Sequence, residues 1–260
     1  MLETKRNSKA RLTRNLTLTS VFAALYAALV VVFAGNSVYP FQVRVADILM
    51  PTAILFGWPA IIGLALGAGI GNLGADALSG FGPFSIGIDI VGGALANLVA
   101  GFFAWKIGSL NLKAAGKACW LLGSLALAGV LWVALGPFLS LEWIIILAIA
   151  IVGFFAYLTQ RGGWNTRYNV SWPLATVVET IVISLIVGSY LGLILPFPES
   201  TQVAIAGVLL GSVIAVNLGG NALLGAIARS GSLRIFKSWG VTVFGTSKQE
   251  DSGIGRSSNL

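Results

Sequence analysis

The chain has 260 residues, 57% of them hydrophobic and only 10% charged, with a mean hydropathy of +0.90. A soluble domain of this size carries roughly 25% charged residues, so the composition excludes a soluble globular fold and points to one helical bundle in a lipid bilayer. The net charge of +7 does not ask for a nucleic-acid partner, because basic residues in such a protein mark its cytoplasmic loops.

Residues 1–15 form a basic arm carrying Lys5, Arg6, Lys9, Arg11 and Arg14. The apolar run from Leu16 to Ala34 is longer than the core of a signal peptide and reads as a retained first helix. A span needs about 20 apolar residues, and helices are predicted at 16–35, 44–57, 59–79, 86–107, 117–136, 141–159, 172–195 and 202–228. The second is short and flanked by Met50-Pro51 and Trp58-Pro59, which suggests a tilted or partly re-entrant segment. Such breaks are tolerated where neighbours satisfy the freed backbone groups. The fold class is therefore an all-α membrane protein, a single bundle of about eight transmembrane helices over 16–230. Residues 231–260, rich in Ser, Gly and charge from Trp239 onward, are expected to be a disordered cytoplasmic tail.

The basic residues test this helix count. With the N-terminus in the cytoplasm and eight alternating helices, the inside receives the N-terminal arm. It also receives Lys106, Lys113, Lys117, Arg161, Arg167, Arg229, Arg234, Lys237, Lys248 and Arg256, fifteen of the 16 basic residues in all. Both termini are then cytoplasmic, in a multi-pass protein of the cell membrane, as the positive-inside rule expects.

Arg44 is the exception, on the outer side. Asp47 lies three residues on and shares its helix face. Asp76 closes the third helix at the same level, and Asp89 opens the fourth. An ionisable residue within a span is a functional-site hypothesis by default, and four of them in one layer favour a pocket for a small polar ligand. Interfacial pairing of Arg44 with Asp47 and capping by Asp89 are the plainer alternatives. Gln42, Asn72 and Asn97 could add amides, although amides in spans also join helices. Phe84, with Phe81, Phe41 and Tyr39, flanks the layer and could stack on a planar base, or belong to an interfacial aromatic belt. Glu179, deeper in the seventh helix, is either a second pocket element or a contact with a partner. Glu142 and Glu199 read as loop residues.

Small residues mark close helix approaches. The third helix carries Gly63, Gly67 and Gly71, and the eighth Gly207, Gly211, Ala215 and Gly219. In the first, Ala23/Ala27 and Ala24/Ala28 overlap and could face another membrane protein. No cofactor is expected. The chain lacks histidine, which removes the commonest general base and metal ligand. Its single cysteine, Cys119, is read as packing. There is no Gly-x-x-x-x-Gly-Lys-Ser/Thr phosphate loop and no Gly-x-Ser-x-Gly elbow, so no catalytic residue is assigned.

From Gln42 to Lys106 the sequence resembles the queuosine-precursor transporter (QueT) family, a group of substrate-binding S components of energy-coupling factor (ECF) transporters. Three blocks carry the likeness: Gln42-Val-Arg44-Val-Ala-Asp47-Ile-Leu49; Gly63-Leu64-Ala-Leu-Gly67 with Asn72; and Asp89-Ile90-Val-Gly92 with Leu95. The family's pattern has a glutamate where this chain has Asp47. The resemblance implies uptake of a queuosine precursor or similar nucleobase-like micronutrient, with ATP hydrolysed by a separate ECF module of ATPases and a membrane coupling protein. It further implies that Asp47 accepts N–H donors of a deazaguanine edge, that Arg44 orients Asp47 or meets a ring carbonyl, and that the alanine face of the first helix docks on the coupling protein. S components have six helices, so the hairpin near 117–159 is read as an insertion into that core. Another vitamin-like ligand, or a membrane enzyme or accessory subunit, are the alternatives.

Overall fold

The computed structural model describes residues 2–36, 43–110, 116–136, 139–161, 171–194 and 201–244, which are helical and contain no strand. A helix satisfies its backbone groups within the segment, which is what hydrocarbon surroundings demand. Helix α1 (Leu2–Val32) carries the basic arm into the first span without a break. The next segment winds as a 3-10 helix over Val45–Thr52 and ends in a single α-turn, α2 (Ala53–Phe56). Helices α3 (Trp58–Ser79), α4 (Pro83–Gly108), α5 (Gly116–Leu135), α6 (Leu141–Arg161) and α7 (Ser171–Ile194) follow. The last long rod is α8 (Thr201–Ser212), a π-helical stretch over Val213–Gly220, and α9 (Asn221–Arg229). A short α10 (Ser232–Ser238) comes after it.

Helices occupy all eight predicted stretches; α1 starts at Leu2, well before residue 16, and the others lie within a few residues of their expected bounds. Among the described residues, five stretches are long and apolar enough to cross a membrane: Lys9–Val32, Trp58–Ser79, Pro83–Gly108, Ser171–Ile194 and Thr201–Ala228. The Val45–Phe56 segment is shorter, as its flanking prolines suggested. Gly80 ends α3 in the left-handed region at φ +76°, the Phe81 N–H donates back to the Asp76 carbonyl (3.1 Å), and Pro83 opens α4. This tight reversal keeps Asp76 and Asp89 at one end of the bundle.

The glycine stripe of α3 is where α1 lies closest. A Cβ on Gly67 would sit 2.7 Å from the Ala23 carbonyl oxygen and 2.8 Å from Tyr26 Cβ, so only glycine allows the approach. Tyr26 is thereby fully buried beside Met50, Ile54 and Leu64 in the main core. The hairpin α5–α6 packs elsewhere. Leu127, Leu131, Ile144 and Ala148 form a second cluster with Val177 and Ile181 of α7 and Ile205 and Leu209 of α8. It thus uses a different face of α7 from Ala175, Ile183 and Val187, which belong to the main core.

The tail differs from expectation over its first part. Phe236 packs edge-on against Phe56 (5.0 Å between ring centres), Phe244 against Trp105 (5.4 Å), and the Phe244 N–H donates to the Leu55 carbonyl (2.8 Å). These aromatics give residues 232–244 an apolar face amid Ser, Gly and charge. Residues 245–260 lie outside the described residues.

Replacing Gly67 by leucine is expected to force α1 off α3 and lower stability by about 1–3 kcal/mol. The exposed Gly87, whose Cβ would meet open space, should accept leucine without loss. Thermal unfolding of the purified variants in detergent checks this; equal melting temperatures would show that the α1–α3 seam does not depend on the missing Cβ.

Candidate functional site

Polar side chains inside an apolar bundle must find one another, because an unpaired buried donor, acceptor or charge is costly. Arg44 stands at the N-terminal edge of the 3-10 segment, and its Nη2 donates to Asn72 Oδ1 on α3 at 3.0 Å. Asn72 Nδ2 donates in turn to the backbone carbonyl of Asp89 on α4 at 2.9 Å. Both partners are unambiguous in kind, since guanidinium only donates and a carbonyl only accepts, so the amide's orientation is fixed. The Asp89 carboxylate accepts from the Tyr190 hydroxyl of α7 at 2.5 Å. Gly92 makes room for that ring, since a Cβ there would lie 2.6 Å from Tyr190 Cε1.

Asp47, one turn below Arg44, accepts a hydrogen bond from the Tyr26 hydroxyl of α1. Asn97 of α4 is within hydrogen-bonding reach of the same hydroxyl and also donates to the Leu64 carbonyl at 3.3 Å. Asp76 lies against the Asp89 carboxyl, and both feel the Arg44 charge. Asp47, Asn72, Asp76, Asp89 and Asn97 are all buried. One guanidinium is therefore ringed by carboxylates, amides and phenols drawn from α1, α3, α4, α7 and the 3-10 segment.

The structure thus brings together Arg44, Asp47, Asn72, Asp76 and Asp89 among the residues expected from sequence. Gln42, with Tyr39 and Phe41, lies outside the described residues. Phe84 stands apart and is 78% exposed. It is five positions before Asp89, which at 3.6 residues per turn puts it about 140° around α4 from the cluster. The four alanines of α1 divide: Ala23 is buried in the seam with α3, Ala27 is half-buried, and Ala24 and Ala28 are exposed.

Tyr26 and Tyr190 were not singled out from sequence. Tyr26 carried a signal, a hydroxyl well inside an apolar span where tyrosine belongs at the interface; Tyr190, one turn from the end of α7, carried none. A second polar group was also missed apart from Glu179. Thr176 and Thr180 of α7 meet Asn221 (3.0 Å) and Asn217 (2.6 Å), two asparagines one turn apart in an apolar helix. At this level the 3-10 segment packs on the π-helical stretch, with Ile48 and Pro51 against Gly219 and Gly220. Interrupted helices are where transporters hold solutes and ions, and π-helical turns gather at functional sites.

An apolar multi-helix bundle with a buried polar cluster beside two broken helices is the plan of a multi-pass membrane transporter. The family described as QueT transporter matches residues 16–229. The chain belongs to that family: it is a membrane transport protein with a small-molecule substrate. No curated protein and no solved structure matches it significantly.

Removing the Arg44 charge strands its carboxylates. Arg44→Gln is expected to destabilise the protein by about 3–5 kcal/mol, and Arg44→Gln combined with Asp89→Asn to recover part of that. Thermal unfolding in detergent distinguishes this coupling from independent losses, in which the double variant would be less stable than either single one.

Proposed function

We propose that the chain is the substrate-binding S component of an ECF-type transporter, taking up a queuosine precursor or a similar nucleobase-like micronutrient. The observation that carries the reading is the half-buried Arg44 clustered with buried Asp47, Asn72 and Asp89 in a QueT-family bundle. A carboxylate accepts two N–H donors at once and a guanidinium donates to ring carbonyls, so Asp47 and Arg44 suit the two edges of a deazaguanine. Tyr26 and Tyr190 position the carboxylates, Asn72 holds Arg44 in place, and Asp76 takes the remaining donors of the ligand. Gln42 belongs to the same sequence motif.

In this reading 16–230 is the substrate-binding bundle, with 117–159 a hairpin inserted into a six-helix core. Its packing in a separate cluster on α7 and α8 supports an addition that leaves the core intact. Fifteen of the 16 basic residues on one side support cytoplasmic termini. The chain carries no phosphate-binding loop, so ATP hydrolysis belongs to a separate module. Ala24 and Ala28, exposed one turn apart on α1, form the surface that docks on the coupling protein, with Ala27 at its edge. Small residues there permit close helix contact.

Asp47→Asn keeps the shape and removes the charge. It is expected to weaken binding of a deazaguanine to the purified protein at least tenfold, measured by isothermal titration calorimetry, while Ala24→Leu with Ala28→Leu leaves binding intact and abolishes co-purification with the ECF module. Unchanged affinity in Asp47→Asn would remove Asp47 from the site.

A further inference from the structure

We propose that Glu179, Asn217 and Asn221 form a buried site for a compact monovalent cation, separate from the Arg44 cluster. Glu179 is fully buried on α7, and neither carboxylate oxygen has a hydrogen-bond partner among the described residues. The charged group that acts on it is Asp47, of the same sign. Glu179 lies eleven residues before Tyr190, about 16 Å deeper in the bundle at about 1.5 Å per residue.

The surroundings are rich in oxygen. The Thr176 hydroxyl donates to the Pro173 carbonyl (2.9 Å), so it can only accept from Asn221. Asn221 Nδ2 also donates to the Asn217 carbonyl (2.8 Å). With both contacts on nitrogen, the Asn221 side-chain oxygen is left over. Asn217 spends its Nδ2 on Thr180, and its oxygen is likewise left over. Glu179 lies one turn after Thr176 on α7 and next to Thr180 in the chain, and all three are buried. Four orphaned oxygens, Oε1 and Oε2 of Glu179 and Oδ1 of Asn217 and Asn221, thus accompany two adjacent turns of α7 and the end of the π-helical stretch.

A single proton on Glu179 supplies one donor to this set. A cation that coordinates several oxygens at once answers all of it and balances the Glu179 charge. Oxygen-rich sites at interrupted helices are where transported or coupling cations sit. The same chemistry fits a free sodium or potassium ion and the protonated amine of a transported solute. The first source is independent of the function proposed above, and the second rests on it.

The test uses the full chain in detergent. Binding of radioactive sodium to wild-type protein is measured directly, with potassium and choline as competitors at constant ionic strength. Glu179→Gln and Asn221→Ala follow, each checked for a monodisperse profile. Affinities for an amine-bearing deazaguanine and an amine-free one are measured alongside. Saturable sodium binding, displaced by unlabelled sodium or potassium but not by choline and reduced at least tenfold in Glu179→Gln, identifies an inorganic ion. No sodium binding, but a preference for the amine-bearing compound that Glu179→Gln abolishes, identifies the solute's own amine. If wild-type protein binds neither ion and shows no preference between the two deazaguanines, the cation site is overturned, whatever the variants do. Deazaguanine binding with Asp47 dependence but without either cation effect would leave the proposed function standing and remove this inference.

Discussion

A guanidinium cannot be carried into an apolar bundle bare, and much of this molecule is arranged around Arg44. The cost of an unpaired buried charge runs to several kcal/mol, and it is met from five separate elements. Asn72 accepts from Arg44 directly, while Asp47 and Asp89 supply opposite charge nearby. Each of those partners is held by a further group: Asp47 by Tyr26, Asp89 by Tyr190, Asn72 by the Asp89 backbone. The network closes α1, α3, α4 and α7 around one point. In the function proposed above, a preorganised ring of this kind leaves little ordering to be done when a solute arrives.

The same point lies next to the two places where regular α-helix fails. A 3-10 segment over Val45–Thr52 and a π-helical stretch over Val213–Gly220 face each other through Ile48, Pro51, Gly219 and Gly220. Irregular winding in hydrocarbon is tolerated only where protein or a polar cavity satisfies the backbone. Here it puts Arg44 and Asp47 on one side and Asn217 and Asn221 on the other, with Glu179 between the threonines those asparagines meet. Moving one broken segment against the other would alter both polar groups together.

Packing elsewhere keeps this centre unencumbered. The glycine stripe of α3 seats one face of α1 and leaves Ala24 and Ala28 outward. The α5–α6 hairpin uses the Val177/Ile181 face of α7 and leaves Thr176, Glu179 and Thr180 to the bundle interior.

Much of the fold was legible in the sequence, because hydropathy along a span is a local property. Eight apolar runs predicted eight helices, and Met50-Pro51 and Trp58-Pro59 marked the short one. The charges out of place, Arg44, Asp47, Asp76 and Asp89, pointed to the site because an ionised group in a span has few innocent explanations. What the sequence could not supply was the rotation of each helix about its axis. Rotation turned Phe84 away from the cluster and Ala23 into a seam, and it aimed Tyr26 and Tyr190 inward at carboxylates 21 and 101 residues away in the chain. It also brought Thr176 and Thr180 onto Asn221 and Asn217 and left the Glu179 oxygens without a donor. Helix rotation is decided by long-range packing, by which glycine admits which neighbour, and only the tertiary structure contains that.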